Sequence, residues 1–420
     1  MHYRGKLRRN WRGAGAIAVL ATLVVMAGSC DSSPTEPAER EVLLGGLFSL
    51  TGNWSTLGQT SQAAMELAVE DVNQYLGGDA ATLRFTAAIE DTRLDPDVAL
   101  ERAQALRARG AQILIGPHSS AEVTRLKPFV DANALLLVSQ SSTAGTLAIP
   151  GDNVFRFTPA DSLEGVAVSA LMWDDGIRAI VPVWRDDPGN AGLERATRAG
   201  FTTLGGTVLE GVKYGATTED FAATVTALRA QVEQAIAQQG AGRVAVYLAA
   251  FDEVVQLFAR AADDPVLGAV RWYGSDGVAL SEALLGSAPA VDFAIRVGYP
   301  NPIFGLDESA REKWEPVAQR IRTQTNLEPD AFALAVYDAV WVAAQSYLAT
   351  GASPTIEELT RVFVATAGVH FGATGWTVLN AAGDRRYGDF DFWAVRQVNG
   401  TPRWVRVAQY ETLAGRLVRR

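Results

Sequence analysis

One cysteine and three histidines in 420 residues cannot supply a four-ligand Cys/His zinc site, an intrachain disulfide or a CxxC pair. Positive charge is also scarce: 37 Lys and Arg stand against 47 Asp and Glu, a formal charge of −10 spread along the chain. That balance excludes the sustained basic surface that nucleic-acid binding requires. No G-x-x-x-x-G-K-[ST] loop, H-E-x-x-H helix or G-x-S-x-G elbow occurs, so no phosphate cradle, zinc-protease site or hydrolase elbow is signalled. Gly240-Ala241-Gly242-Arg243-Val244-Ala245 fits G-x-G-x-x-A in letters. Its context is reversed, because it ends a helical pattern and opens a strand, which reads as a helix C-cap. Low-complexity tracts are absent, and 48% hydrophobic, 20% charged residues and 39 glycines are ordinary values for a folded chain. The length implies two or three domains rather than one core.

The amino end has a different composition. Residues 1–29 carry Arg4, Lys6, Arg8, Arg9 and Arg12, no acid, and then an uncharged Ala/Leu/Val-rich run over 13–29. This is the pattern of an export signal, and the run is short of the roughly 20 residues a membrane span needs. Removing these five cations from the 37 leaves 32 against 47 acids, a charge of about −15 for the exported part. The single cysteine, Cys30, follows Met26-Ala27-Gly28-Ser29. That arrangement resembles the lipobox of bacterial lipoproteins, with Ala27 where the motif more often has Leu. The resemblance implies lipidation of Cys30; the other reading is ordinary cleavage with a free thiol left over. Residues 30–40, rich in Ser, Pro and Glu, read as a flexible tether. The protein is thus expected to be exported to the cell envelope, anchored by lipid and facing the periplasm or exterior.

From Glu41 the pattern alternates. Apolar strand-like runs at 42–50, 83–89, 113–115, 134–138 and 155–157 are separated by helical spacing, as in Met65, Ala68, Val69, Val72 and Leu76. Asp95-Pro96 is a cap followed by a first-turn proline. A second series has strands at 178–184, 207–212, 243–249 and 270–273, with helices at 191–200, 221–238 and 252–262. Helical stretches at 309–325, 331–349 and 355–367 follow, then hairpin-like segments around Gly383-Asp384 and Asn399-Gly400. Alternation of this kind predicts two α/β lobes with mostly parallel sheets.

Ordered landmarks run through this body: Phe48-Ser49-Leu50-Thr51-Gly52 and Gly58, then Ala68-Val69-Glu70-Asp71-Val72-Asn73, Glu90-Asp91-Thr92, and Ile115-Gly116-Pro117-His118-Ser119-Ser120. Asp276-Gly277, Phe371-Gly372-Ala373-Thr374-Gly375, Asn380 and Gly383-Asp384 complete the set. It resembles the periplasmic solute-binding proteins of the leucine/isoleucine/valine type over roughly residues 41–410. The resemblance implies a type I periplasmic binding fold: two Rossmann-like lobes, 41–159 with 299–388 and 160–298 with 389–420, joined by three crossovers near Ala160, Gly298 and Asp389. The ligand would lie in the cleft between them.

A free amino acid needs donors for its carboxylate, an acid for its ammonium and a wall for its side chain. By position in the family pattern, Ser120 at a helix start with Ser141 and Thr143 would hold the carboxylate. Ser119-x-x-Glu122 is also a capping box, so capping is the plain alternative for this serine pair. Asp276, just past a strand, falls where the family has the acid for the ammonium; a turn Asp before Gly is the other reading. Phe251 matches an aromatic that caps the ligand, or is core. Gly189, in the segment 184–192 read as a loop, stands where a tyrosine is common, and Leu57 replaces an aromatic. Both point to a differently shaped side-chain pocket, walled by Trp54 unless Trp54 is an exposed loop residue. His118 reads as a rim residue beside the cleft rather than part of a catalytic set.

The expected function is therefore ligand capture for an ATP-driven importer: an amino acid or similar zwitterion is bound and delivered to a membrane permease, with no cofactor and no catalysis. The rival is a binding protein that reports an amide or amino acid to a signalling partner. An exported α/β enzyme is a distant third.

Overall fold

The computed structural model describes residues 40–77 and 83–420; the signal segment, Cys30 and residues 31–39 of the tether lie outside these. The chain begins with β1 (Arg40–Phe48), α1 (Ser55–Tyr75), β2 (Leu83–Asp91), α2 (Pro96–Ala108), β3 (Ile113–Ile115), α3 (Ser120–Ala132), β4 (Leu136–Ser139) and β5 (Val154–Arg156). These strands form a parallel five-stranded sheet in the order β2-β1-β3-β4-β5. Asp95 caps α2 as its sequence predicts, accepting from Asp97 N and Val98 N. Side chains alternate across the sheet: Val42, Leu44, Ile113, Ile115, Leu136 and Val138 face one core, while Leu47, Leu114 and Leu137 face the other. Burial on both faces makes these strands continuous apolar runs.

The chain continues through α4 (Asp161–Asp174), β6 (Ala179–Asp186), α5 (Pro188–Thr203), β7 (Thr207–Val208), β8 (Val212–Gly215), α6 (Ala222–Gln239), β9 (Val244–Ala249), α7 (Val254–Ala261) and β10 (Arg271–Tyr273). The second sheet is parallel, ordered β10-β9-β6-β7 with β8 also beside β6. Ala179, Val181 and Val183 of β6 face the core under α6 and α7, while Ile180 faces the opposite core under α4 and α5. The fold is α/β with mostly parallel sheets.

Next come α8 (Glu282–Leu285), α9 (Ala288–Val297), β11 (Asn301–Phe304), α10 (Arg311–Thr325), α11 (Ala331–Thr350), α12 (Ile356–Ala367), β12 (Phe371–Gly372), β13 (Gly375–Trp376), β14 (Phe390–Val398), β15 (Thr401–Glu411) and β16 (Arg416–Arg419). Helices α10 to α12 return to the first core. Among the described residues α11 is long and apolar enough to cross a membrane, yet most of it is buried against the first sheet.

Several expectations are corrected. Helix α4, unforeseen, packs tightly on α5, with no room for a Cβ on Gly165 against Ala196. The expected strand at 207–212 is two short strands, β7 and β8. Residues 184–192 are not a loop: β6 runs to Asp186, Asp187 caps, and Pro188 opens α5. The carboxyl-terminal region forms an antiparallel sheet, β11-β14-β15-β16, rather than isolated hairpins. Asn399 and Gly400, both at positive φ, make the expected tight turn between β14 and β15. Around Gly383-Asp384 a turn forms with two isolated bridges, Leu379 to Arg385 antiparallel and Asp384 to Arg156 of β5 parallel.

Candidate ligand-binding site

Every residue singled out in the body of the sequence lies in a loop or helix start that follows the carboxyl end of a parallel strand. Trp54 follows β1, Ser120 follows β3, Ser141 and Thr143 follow β4, Phe251 follows β9 and Asp276 follows β10. Carboxyl ends of parallel strands are where open α/β sheets bind ligands. None of these six side chains is more than 6% exposed.

Ser120 opens α3. Its hydroxyl pairs with that of Ser142 at 2.9 Å and accepts from Ala144 N at 3.2 Å. Capping is carried by its neighbour: the Ser119 hydroxyl accepts from Glu122 N, while Ser119 N and Oγ donate to Glu122 Oε2. Ser120 is thereby free of the capping role that competed for it. Ser141 Oγ donates to His118 O at 3.0 Å, tying the two loops. The Thr143 carbonyl accepts from Asp161 N at 3.0 Å. Behind this loop, Arg156 donates to the carbonyls of Ala144 (2.6 Å) and Ser142 (3.4 Å) and forms a buried ion pair with Asp384. Gly189, in the first turn of α5, comes close to the same hydroxyls: a Cβ built on it would lie 3.5 Å from Ser120 Oγ.

The second sheet brings acids. Asp276 N donates to Glu164 Oε1 at 3.2 Å, and both carboxyls are pushed well above the usual range by burial and by neighbouring negative charge. Asp161 is raised to about 6 by burial, with Thr143 and Arg156 opposing the rise. Burial, with the charge of all three acids, raises the phenol of Tyr247 well above its ordinary value. Sequence reasoning missed Asp161 and Glu164. The available signal was two acids in the first turn of a helix.

Trp54 is buried, which removes the exposed-loop reading. Its ring lies 4.8 Å from Phe251 and edge-on to His118 at 5.8 Å. A Cβ on Gly277 would come within 2.6 Å of Ala250 O and the Phe251 ring, so only glycine fits beneath that aromatic. Across the cleft, Asn53 Nδ2 donates to Glu253 Oε2 (3.0 Å), Trp54 N to Asp252 Oδ2 (2.7 Å) and Asp252 N to Asn53 Oδ1 (2.9 Å). His118 is not a rim residue. It is fully buried, stacks on Phe48 at 5.6 Å, and burial lowers its imidazole to about 3. Among the described residues, no cluster of His, Cys, Asp and Glu is arranged to hold a metal ion.

The loop after β4 thus meets the start of α4 at Thr143 and Asp161, and α4 meets the turn after β10 at Glu164 and Asp276. The family model for the receptor family ligand binding region matches residues 60–397. The chain belongs to that family. An uncharacterized protein of Methanocaldococcus jannaschii is 28% identical over 95% of this chain and 98% of its own length. The chemotactic signal transduction system substrate-binding protein BasB of Halobacterium salinarum is 33% identical over 33% of this chain and 35% of its own. Among solved structures, the leucine binding protein LivK of Thermotoga maritima aligns at TM-score 0.71 and 20% identity, over 90% of this chain and 99% of its own. A solute binding protein of R. palustris in complex with benzoate aligns at 0.69 and 16%, over 87% and 96%. These likenesses identify the fold as that of type I periplasmic binding proteins.

Proposed function

We propose that this chain is the solute-capturing component of an ATP-driven importer, taking an amino acid or similar small zwitterion between its two sheets and handing it to a membrane permease. One observation carries the reading. The hydroxyl residues expected to meet the carboxylate (Ser120, Ser141, Thr143) and the acids Asp276, Glu164 and Asp161 are buried together at the carboxyl ends of the two sheets, with Trp54 packed against Phe251. Burial and mutual charge push these carboxyls above their ordinary range, and a ligand ammonium would favour their charged form while its carboxylate meets the serines and the start of α3. Structural neighbours that bind leucine and benzoate support a carboxylate-bearing ligand. In this reading the chain is not an enzyme: the acids hold charge and transfer no group. Cys30 carries a lipid that keeps the body at the envelope surface beside its permease.

The test is calorimetric titration of amino acids into the purified chain and into Asp276→Asn. Binding to the first and a loss of at least a hundredfold in the second support the reading; equal affinity in both removes Asp276 from the ammonium site. A second reading, ligand sensing without transport, is favoured by the likeness to a chemotactic substrate-binding protein. Copurification with a signal transducer rather than a permease would select it.

A further inference from the structure

His118 and Gln140 are both fully buried, and none of their four polar side-chain atoms has a hydrogen-bond partner. Two such residues on neighbouring loops are unusual, because buried polar groups are nearly always paired. They occupy matching places. β3 and β4 are adjacent parallel strands; His118 follows the carboxyl end of one, Gln140 that of the other. Their loops are joined by the Ser141 hydroxyl on the His118 carbonyl, next to Ser120 and Ser142. The His118 ring is held by Phe48 and by Trp54, whose other neighbour is Phe251 from across the cleft.

We infer that His118 and Gln140 read the ligand's side chain, and that this side chain is uncharged and both donates and accepts hydrogen bonds, a carboxamide being the plainest case. The inference rests on the zwitterion reading for the ligand's head and adds its tail. A neutral imidazole offers one donor and one acceptor, and so does the face of a glutamine amide. Burial keeps the imidazole neutral, since its ionisation is lowered to about 3, so it presents no cation to attract an acidic side chain. An aliphatic ligand would leave all four atoms unpaired, and sites built around buried polar groups reject such ligands strongly.

The experiment titrates glutamine, its near-isostere methionine, leucine and propionamide into the purified chain and into the double variant His118→Phe/Gln140→Met. The expected result is a glutamine affinity at least tenfold above that of methionine, with this ratio falling toward one in the variant. Equal binding of glutamine and methionine by the native chain, or an unchanged ratio in a variant that still melts cooperatively, overturns the inference while leaving zwitterion capture intact. Binding of propionamide with none of the three amino acids would overturn the zwitterion head and keep the amide-reading tail. No binding of any of the four overturns both.

Discussion

Replacing Asp161 by asparagine removes a carboxylate that the fold buries. In the folded chain this group ionises near 6 instead of its ordinary 3.8. A carboxyl whose folded value is raised favours the native state while protonated, and that contribution is lost as pH climbs from about 4 through about 6. At about 1.36 kcal/mol per pH unit, the wild type above pH 7 carries a penalty of about 3 kcal/mol that Asp161→Asn lacks. The negative charge on Asp161 is also among the causes that raise Glu164 and Asp276, so its removal eases their ionisation and adds in the same direction. With an unfolding entropy of about 2.1 cal/mol/K per residue, 3 kcal/mol moves the midpoint of a body this long by roughly 4 °C. The assay is thermal melting of ligand-free wild type and variant from pH 4 to pH 8. The variant should melt about 4 °C higher at pH 8 than the wild type, relative to their difference at pH 4. A difference that stays flat across that range would falsify the raised ionisation of a buried Asp161.

Two further outcomes are expected. Asp384→Asn strands the buried Arg156 guanidinium, which should destabilise the chain by about 3 to 5 kcal/mol in urea titration and weaken ligand binding, because Arg156 holds the Ser142–Ala144 loop; a stability loss within 0.5 kcal/mol of zero, as for ordinary surface changes, would contradict that role. Cys30→Ala should move the protein expressed in a bacterial host from the detergent phase to the aqueous phase on phase partition; the same partition for both forms would exclude lipidation at Cys30.

The parallel strands were legible because burial on both faces leaves short apolar runs that flanking turns delimit. β9 is an example: Val244, Val246 and Leu248 enter one core, Ala245, Tyr247 and Ala249 the other. Helix α4 was not legible. It packs along α5 as well as the sheet, so its apolar and small residues do not fall on a single stripe, and Gly165 at its centre reads as a breaker although it serves close approach to Ala196. The antiparallel sheet was hidden for another reason, since β11 pairs with β14, almost ninety residues further on, and no local signal encodes such a pairing. Ser120, Ser141 and Thr143 were singled out by their places in the family pattern, and the structure puts them after β3 and β4. Asp161 and Glu164 become part of one acid group with Asp276 only when α4 and β10 are brought together.

The same acids explain how a receptor of this geometry responds to ligand. Asn53, Trp54, Asp252 and Glu253 latch the two sides by hydrogen bonds that need no ligand, and these favour the shut form. Asp161, Glu164 and Asp276 oppose it, because shutting the cleft empty removes their charges from water and sets them against one another. A ligand moves the balance between open and shut forms only by binding one of them more tightly than the other. In the proposed reading, an ammonium bound among the acids would offset their repulsion in the shut form. Its effect is therefore differential between the two states, and the latch need only be strong enough to hold a cleft whose charges the ligand has already balanced.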